Sequence, residues 1–335
     1  MNPLLQQRAA ILRLHTHPRD GSPFWRERLA RCGLSVEALI DDPLAMPPMQ
    51  ADEWRGRPLE DLIPAAVLAE GPYLITGETS GFSGKPVVTA FLEDEFRAGF
   101  VTPFVEQARR AGFPLRAHWL WAGPSGPHVI GKAVRAILRE VGGLDPFAVD
   151  FDPRWFRRLP RGSLSARRYM EHILEQMLDV LNEQRVEVLF TTPPVLAALT
   201  ERLEPARREA IRGVHYGGMA MSVDEYRRHR EAFPKAMHMS GYGNSLFGMF
   251  PETGFSDAGL AYDTPPGRLV VEVVRREGER LRPCAVGETG QIMVSRYDRS
   301  MLVMNMVLED LATRTPEGIL HPHREHRHLE GKLLY

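Results

Sequence analysis

The sequence predicts an α/β fold in which helices cover a largely parallel or mixed sheet and a β-rich region follows. Beyond residue 71, helical and strand-like patterns alternate at the spacing of βαβ units. From Arg268 the pattern changes to short β-rich runs with turn residues between them. We therefore expect three segments: a helical segment over residues 1–70, an α/β core over 71–266 and a β-rich subdomain over 267–335.

The individual elements follow from local patterns. Pro and Gly interrupt the first seventy residues, which leaves short helical fragments such as residues 23–29 and 59–64. Three helical stretches in the core each precede a strand-like run; the pairs are 93–110 with 117–121, 163–184 with 186–190, and 222–232 with 236–239. The strand-like runs of the β-rich region are residues 269–274 and 291–294.

The composition favours a globular protein with a small-molecule partner. Of the 335 residues, 43% are hydrophobic, which is enough for a packed core. The formal net charge of −1 argues against nucleic-acid binding, and no apolar stretch is long enough to span a bilayer. Cys32 and Cys284 are too few for a disulfide scaffold, and the first residues lack the apolar core of a signal peptide. We therefore expect a cytoplasmic protein.

Residues 79–86 predict a phosphate-binding loop. Its binding groups are three hydroxyls, two glycines and a lysine, namely Thr79, Ser80, Ser83, Gly81, Gly84 and Lys85. Hydroxyls and backbone N–H groups donate to phosphate oxygens, glycines allow a close approach, and lysine adds positive charge. The P-loop pattern does not fit, because Thr79 replaces its first glycine and Pro86 replaces its Ser or Thr. The alternating run 87–91 instead predicts a strand–loop–strand hairpin, and a Gly/Ser turn without a ligand is the alternative.

The loop resembles the signature loop of the adenylate-forming superfamily of acyl-CoA synthetases, in the S-S-G-T-T-G-K-P form of the phenylacetate-CoA ligase branch. The clear departure is Phe82, where the family has a hydroxyl. Residues 22–29 and 46–49 also resemble that branch, although residues 50–53 lack its lysine. The resemblance implies the large N-terminal domain of these enzymes, with the α/β core as its AMP-binding part.

Two further segments extend the resemblance in the family's order. Thr191, Thr192 and Pro193 are similar to a helix start beside the family's acyl pocket; the alternative is a helix capped by Thr192 and begun by Pro193. The run 212–216 then leads to Gly217 and Gly218, where the carboxyl end of a parallel strand meets a small-residue turn of the kind that ligands approach in open α/β sheets. In the family this turn borders adenine.

A third segment, residues 240–246, is similar to the family's Y-G-x-[ST]-E. The resemblance assigns Tyr242 and Gly243 to the adenine and Ser245 to the α-phosphate. Leu246 replaces the glutamate that helps bind magnesium, and an apolar side chain cannot ligate a hard cation. Magnesium would then depend on phosphate oxygens, water and a carboxylate such as Glu252, or the chemistry is impaired.

The last landmarks are Asp310 and the C-terminal residues. Asp310 resembles the aspartate that accepts both ribose hydroxyls, and its alternative is a solvated turn aspartate. Residues 327–335 resemble the family hinge, with Arg327 kept and Lys332 in the place of an arginine. The sequence ends there, so we expect an adenylation domain without its small C-terminal lid.

The resemblance implies an ATP-dependent, adenylate-forming ligase that activates a carboxylic acid, expected to be aryl or arylacetic, with release of pyrophosphate. Lys85 and Ser245 are the expected catalytic residues, and ATP and Mg²⁺ are the expected cofactors. CoA or a carrier protein is the expected acceptor of the acyl group. A separate protein chain is a possible source of the C-terminal lid domain.

Three alternatives remain open from the residues. A non-catalytic or partner-dependent nucleotide- or acyl-binding homologue would explain Leu246. A P-loop hydrolase or kinase conflicts with Pro86. A metal site at the histidines lacks cysteines and the fixed spacing of a zinc helix; these residues are His215, His238, His321, His323, His326 and His328.

Overall fold

The computed structural model of the chain describes residues 2–79, 81, 85–160, 162–264, 266–278 and 280–324. Within these ranges, no helix is both long enough and apolar enough to cross a membrane.

The elements are labelled in chain order. The α-helices are α1 (Pro3–Thr16), α2 (Pro23–Cys32), α3 (Val36–Asp41), α4 (Ala65–Ala69), α5 (Glu93–Phe96), α6 (Thr102–Ala111), α7 (Val129–Val141), α8 (Pro153–Phe156), α9 (Leu164–Glu183), α10 (Pro193–Arg202), α11 (Pro205–Ala210) and α12 (Val223–Ala232). Shorter turns are 3-10 at Pro43–Ala45, Ala51–Trp54 and Leu59–Leu62, and π-helical at Arg97–Val101. The strands are β1 (Ile75–Glu78), β2 (Val88–Phe91), β3 (Trp119–Gly123), β4 (Phe147–Asp150), β5 (Val188–Thr191), β6 (Gly213–Tyr216), β7 (Met237–Asn244), β8 (Gly248–Ser256), β9 (Gly259–Asp263), β10 (Leu269–Glu277), β11 (Arg280–Pro283), β12 (Thr289–Tyr297), β13 (Leu302–Arg314) and β14 (Gly318–Arg324).

The predicted α/β class and the helix–strand pairs of the core are confirmed. One departure is the expected helix 93–110, which contains the π-turn. Pro103 follows that turn, and a proline cannot donate the N–H that a regular helix would direct at the carbonyl four residues earlier.

Contacts divide the chain into two compact units, one formed by residues 2–96 and 263–322 and the other by residues 97–262 and 323–324. The three-segment organisation expected from the sequence remains a prediction.

In the first unit, the β1–β2 hairpin accompanies five strands in the order β11-β10-β12-β13-β14. A buried ionic network fixes β2 within this unit. The guanidinium of Arg296 is fully buried, and its Nη2 donates to the carbonyl of Ala90 on β2 at 2.7 Å. Its Nε donates to Asp298, which also binds Arg268. The strand that follows the predicted phosphate loop is therefore anchored at its far end.

In the second unit, seven strands lie in the order β9-β8-β7-β6-β5-β3-β4. Strands β4, β3, β5, β6 and β7 are parallel, and β7, β8 and β9 pair antiparallel. An aromatic cluster packs α6 onto the parallel strands. The ring centroid of Phe104, on α6, lies 4.9 Å from that of the His215 imidazole, and the ring centroid of Phe190 lies 4.2 Å from it. This aromatic core holds together the parallel strands, whose carboxyl ends form one edge of the sheet.

Candidate functional site

The predicted phosphate loop joins the two strands of the β1–β2 hairpin. At its base, the N–H of Thr79 donates to the carbonyl of Val87 at 3.0 Å, and the N–H of Val87 donates to Thr79 Oγ1 at 3.1 Å. Gly81 has a φ of +67°, a conformation that favours glycine, and Lys85 is exposed. The hairpin predicted from Pro86 and the following alternation is confirmed. Ser80, Phe82, Ser83 and Gly84 lie outside the described residues, and phosphate binding stays a prediction.

Asp310 lies in a bulge of strand β13. Gln291 of β12 pairs with Leu311 and Met293 with Val307, so β13 has two extra residues between these pairs. The amide of Gln291 donates to the carbonyl of Leu308 at 3.2 Å and so closes the bulge. The alternative of a turn aspartate is wrong, because the residue is inside a strand. Bulges re-aim side chains and are common beside functional sites.

The carboxyl ends of β6 and β7 bring two predicted segments together. The two strands are parallel neighbours, with Tyr216 in register with Ser240. Gly217 and Gly218 continue from β6, while Tyr242 and Gly243 belong to the part of β7 beyond this pairing. Gly218 has a φ of +83°, so the turn after β6 needs a glycine. The second unit therefore places the predicted adenine-binding glycines beside the predicted adenine-stacking tyrosine.

The segment around Tyr242 forms the tip of the β7–β8 hairpin. Gly243 pairs with Met249, and a Cβ on Gly243 would collide with the carbonyl of Gly248 and lie 2.8 Å from the Cα of Met249. The Tyr242 ring packs near-parallel to Phe250 at a centroid distance of 6.1 Å. Ser245 lies half-buried in the turn. The glycine of this motif thus has a packing reason, because two backbones meet at its position.

Leu246 and Glu252 are the two positions at which the sequence raised a magnesium ligand, and neither is placed to bind the ion. Leu246 is 3% exposed, so the position where the family has glutamate is part of the apolar interior. Glu252 has both oxygens engaged: Oε2 accepts the N–H of Ser240 at 2.7 Å, and Oε1 accepts the hydroxyl of Tyr226 at 3.4 Å. Within the described part of the chain, no group of three or more His, Cys, Asp or Glu side chains is arranged to hold a metal. These residues do not form a site that would hold Mg²⁺ by protein ligands.

The strand order places a topological switch point between β3 and β5. The chain passes from β3 outward to β4 and returns to β5 on the other side of β3. Ligands of open α/β sheets bind outside the carboxyl ends of strands at such points. Here these ends are Gly123 and the pair Thr191–Thr192. Thr191 Oγ1 donates to the carbonyl of Ala122 at 2.7 Å, which ties the two strand ends together.

Thr192 is 2% exposed, and its hydroxyl makes no hydrogen bond to any described residue. Helix α10 begins at Pro193 as predicted, but its expected side-chain cap from Thr192 is not formed. A buried hydroxyl without a partner is costly, and at a switch point it is suited to a ligand.

His215 and His238 are neutral groups in the interior of the second unit. Burial lowers the pKa of His215 to about 3 and that of His238 to about 4. His238 Nε2 faces the carbonyl of Phe233 at 3.1 Å and so carries the proton, and Nδ1 then accepts the hydroxyl of Tyr216 at 3.0 Å. Arg327, Lys332, His326 and His328 lie outside the described residues.

Sequence reasoning missed the polar network around Glu252. Ser240 Oγ and the Tyr262 hydroxyl are 2.9 Å apart, and the amide of Gln107 donates to the carbonyl of Glu252 at 3.1 Å. Burial raises the pKa of the Glu252 carboxyl to about 7. No motif marks these residues, because they come from four separate elements and meet only in the fold.

A scan against protein-family models found no match, and a search of the curated proteins also found none. Among solved structures, the fold is similar to that of 2-hydroxyisobutyryl-CoA ligase in complex with 2-HIB-AMP and CoA in the thioesterification state. The TM-score is 0.65 at 14% identity, and the match covers 95% of this chain and 65% of that one. The same ligase in the postadenylation state, in complex with R3-HIB-AMP, gives a TM-score of 0.66 with the same identity and coverage. An ATP-bound RpMatB-BxBclM chimera gives 0.50 at 17% identity, over 74% of this chain and 46% of the chimera.

The chain therefore has the fold of the large N-terminal domain of adenylate-forming enzymes. It spans about 65% of the length of the ligase structures that it matches over most of its own length.

Proposed function

We propose that this protein binds ATP and activates a carboxylic acid as its acyl adenylate, with release of pyrophosphate and transfer of the acyl group to CoA or another acceptor. The observation that carries the proposal is the agreement of fold and motif order. The segments that resemble the adenylate-forming motifs occur in order along a chain with the fold of those enzymes. Order over a whole chain is harder to produce by chance than any short motif.

Each predicted residue keeps the role that the resemblance gives it. Gly217, Gly218 and Tyr242 bind the adenine, and their adjacency at the ends of β6 and β7 supports this. Lys85 and the loop hydroxyls neutralise the leaving pyrophosphate, and the exposure of Lys85 supports its access to an anion. Ser245 contacts the α-phosphate, Asp310 the ribose, and Arg327 and Lys332 belong to the hinge of a lid.

The acid binds at the switch point between β3 and β5. The buried hydroxyl of Thr192 supports this, because it offers a hydrogen bond that no described residue takes. Trp121 is 5% exposed, and its ring lies 4.7 Å from that of Phe190. These rings favour an aryl or arylacetic acid over an extended alkyl acid. A cytoplasmic location suits this chemistry.

The test is exchange of labelled pyrophosphate into ATP, measured with and without a panel of aryl and alkyl acids. Exchange should depend on the acid, and Lys85→Ala should lower it by a factor of about 10². Lys235→Ala is the matched control, because Lys235 is an exposed lysine whose partner is Glu209 at 2.7 Å. Equal exchange in both variants would refute the role of the loop, and acid-independent release of phosphate would favour a hydrolase.

A second candidate is a nucleotide- or acyl-binding homologue that is inactive alone or needs a partner chain for its lid. The burial of Leu246 favours it, because a metal ligand of the family is replaced by a core residue. Binding of ATP without exchange for any acid would support this candidate.

A further inference from the structure

Strands β3, β5 and β6 present three aromatic side chains side by side on one face of the sheet. Trp121 of β3 is in register with Phe190 of β5, and Phe190 is in register with His215 of β6. The Trp121 and His215 rings stand nearly perpendicular to the Phe190 ring, at angles of 76° and 85°. Because side chains alternate along a strand, the next positions on this face are Gly123 in β3 and the extended Thr192 after β5. The aromatic row is therefore followed, toward the carboxyl ends, by residues with little or no side chain.

The indole of Trp121 fills the space that Gly123 leaves open. A Cβ on Gly123 would lie 2.3 Å from both Cζ2 and Cη2 of this indole. The ring therefore lies against the backbone of Gly123 and reaches the end of its strand. Its Nε1–H is buried and has no acceptor among the described residues. An indole N–H can only donate, and leaving it unpaired in the interior costs about 1–3 kcal/mol.

The hydroxyl of Thr192 is a second unpaired group at the same place. Strand β5 is the neighbour of β3, and continuing the register of Trp121 with Phe190 places Thr192 opposite Gly123. This hydroxyl is also buried and makes no hydrogen bond to any described residue. A donor and a hydroxyl, both unpaired, therefore lie on neighbouring strand ends at the switch point, where a ligand can pair both.

Trp119 shows that an unpaired indole alone does not define this position. It lies two residues before Trp121 on the same face of β3, and its Nε1 also lacks a partner in the described part of the chain. Its ring is enclosed by the aromatic cluster, with the Phe104 and Phe113 centroids both at 5.8 Å. Trp121 differs because it lies at the strand end, beside Gly123 and opposite Thr192.

The edge of the sheet limits the length of a ligand in this pocket. The strand order is β6-β5-β3, so Gly217 and Gly123 are two strand spacings apart, about 10 Å at the usual separation. Under the proposed function Gly217 borders the adenine, and the acid extends from there toward β3. The interval holds a carboxyl group, one aromatic ring and one small substituent, with the indole of Trp121 at its far end. A long alkyl acid does not fit between these points.

We propose that the acid is a one-ring aromatic acid with a hydroxyl group on the ring, opposite the carboxyl end, and that Trp121 and Thr192 select this hydroxyl. The Nε1–H of Trp121 donates to the hydroxyl oxygen, and Thr192 Oγ1 accepts the hydroxyl proton. A hydroxyl is the small substituent that pairs both groups, since it accepts and donates at one atom. The inference rests on the proposed function, which requires an acid, and it adds which acid is chosen and by which residues.

Isothermal titration calorimetry with two matched pairs of acids tests the inference. The pairs are the 4-hydroxy and 4-methyl forms of benzoic acid and of phenylacetic acid, since a methyl group is similar in size to a hydroxyl but forms no hydrogen bond. The full chain is titrated with and without α,β-methylene-ATP, which cannot release pyrophosphate. In at least one pair, the wild type should bind the hydroxyl form about hundredfold more tightly, about tenfold for each hydrogen bond.

Three variants remove the proposed selection, and one leaves it in place. Trp121→Phe and Thr192→Val should each lower the preference for the hydroxyl form about tenfold, and Gly123→Ala should do so by displacing the indole. Trp119→Phe is the matched control, because it removes an unpaired indole N–H from the same face of the same strand. It should change the preference less than threefold. Thermal unfolding of each variant verifies that it folds.

Equal affinity of the wild type for the hydroxyl and methyl forms of both pairs would overturn the inference, and this comparison needs no variant. A preference that survives in Trp121→Phe and Thr192→Val would also overturn it, because the hydroxyl would then be recognised elsewhere. Pyrophosphate exchange with the same acids reports separately on the proposed function. Hydroxyl-selective binding without exchange would reject adenylation and keep this pocket, whereas exchange without a hydroxyl preference would keep adenylation and reject the inference.

Discussion

Glu252 and Ser240 are hydrogen-bonded at the point where strand β7 leaves the parallel sheet. The N–H of Ser240 donates to the Glu252 carboxylate at 2.7 Å. Ser240 is the last residue of β7 in register with β6, and the next residue, Gly241, pairs with Pro251 of β8. The carboxylate therefore accepts a backbone hydrogen bond where the parallel ladder gives way to the antiparallel one. Burial raises the pKa of Glu252 to about 7, while this hydrogen bond acts to lower it.

Stability should depend on pH through Glu252. Its pKa of about 7 exceeds the unfolded value of 4.5, so the folded state holds the proton more tightly. The resulting stabilisation is complete below pH 4.5 and is lost as the pH rises through 7. Between pH 5 and 8, the free energy of unfolding of the wild type should fall by about 3 kcal/mol relative to Glu252→Gln. Urea unfolding at several pH values measures this difference.

Glu231→Gln is the control for that series, because Glu231 is an exposed residue of α12. The free energy of unfolding of Glu231→Gln, plotted against pH, should run parallel to that of the wild type. If the Glu252→Gln curve is parallel as well, the carboxyl of Glu252 does not titrate in this range.

Replacing Gly243 should disturb the β7–β8 hairpin. A Cβ at this position would collide with the carbonyl of Gly248, which belongs to the paired strand and cannot move away alone. Gly243→Ala should lower the free energy of unfolding by about 1–3 kcal/mol, as other overpacked sites do. Gly254→Ala in β8 is the matched control, because nothing lies within 4 Å of its added Cβ. Equal effects in chemical denaturation would show that the hairpin relaxes freely around Gly243.

Local patterns predicted the fold because its elements are set by short-range periodicity. The stretch 163–184 has the apolar spacing of a helix and forms α9, and the run 87–91 alternates and contributes β2. The adjacency of Gly217 and Tyr242 also follows from the sequence pattern, because consecutive βαβ units place the carboxyl ends of their strands at one edge of the sheet.

The parts that escaped prediction depend on distant residues. The bulge at Asp310 is a matter of register between β12 and β13, which no single segment encodes. The engagement of Glu252 by Ser240 requires β7 and β8 to pair, and the burial of Leu246 arises only when the chain is folded. Arg296 is fully buried, whereas a charged residue in a strand pattern normally predicts an exposed position.

Breaking the buried ionic network should be far more costly than breaking a surface pair. Asp298 is 3% exposed and accepts hydrogen bonds from Arg296 Nε at 2.5 Å and Arg268 Nε at 2.8 Å. Asp298→Ala leaves the buried guanidinium of Arg296 without this carboxylate and should lower the free energy of unfolding by about 3–5 kcal/mol. Glu70→Ala, which removes the exposed partner of Arg299, should cost less than about 1 kcal/mol. Similar losses in both variants, measured by urea unfolding, would contradict the importance of burial here.

Asp310 and Glu309 allow a test of nucleotide binding inside one bulge. Under the proposed function the Asp310 carboxylate accepts both ribose hydroxyls, and each charge-assisted hydrogen bond contributes about 1.5–3 kcal/mol. Asp310→Ala removes both bonds and should therefore weaken ATP binding by about hundredfold or more in calorimetry. Glu309→Ala removes the same charge from the exposed neighbouring position and should change the affinity less than threefold. An equal loss in both variants would mean that the charge of the bulge, and not a contact from Asp310, affects the nucleotide.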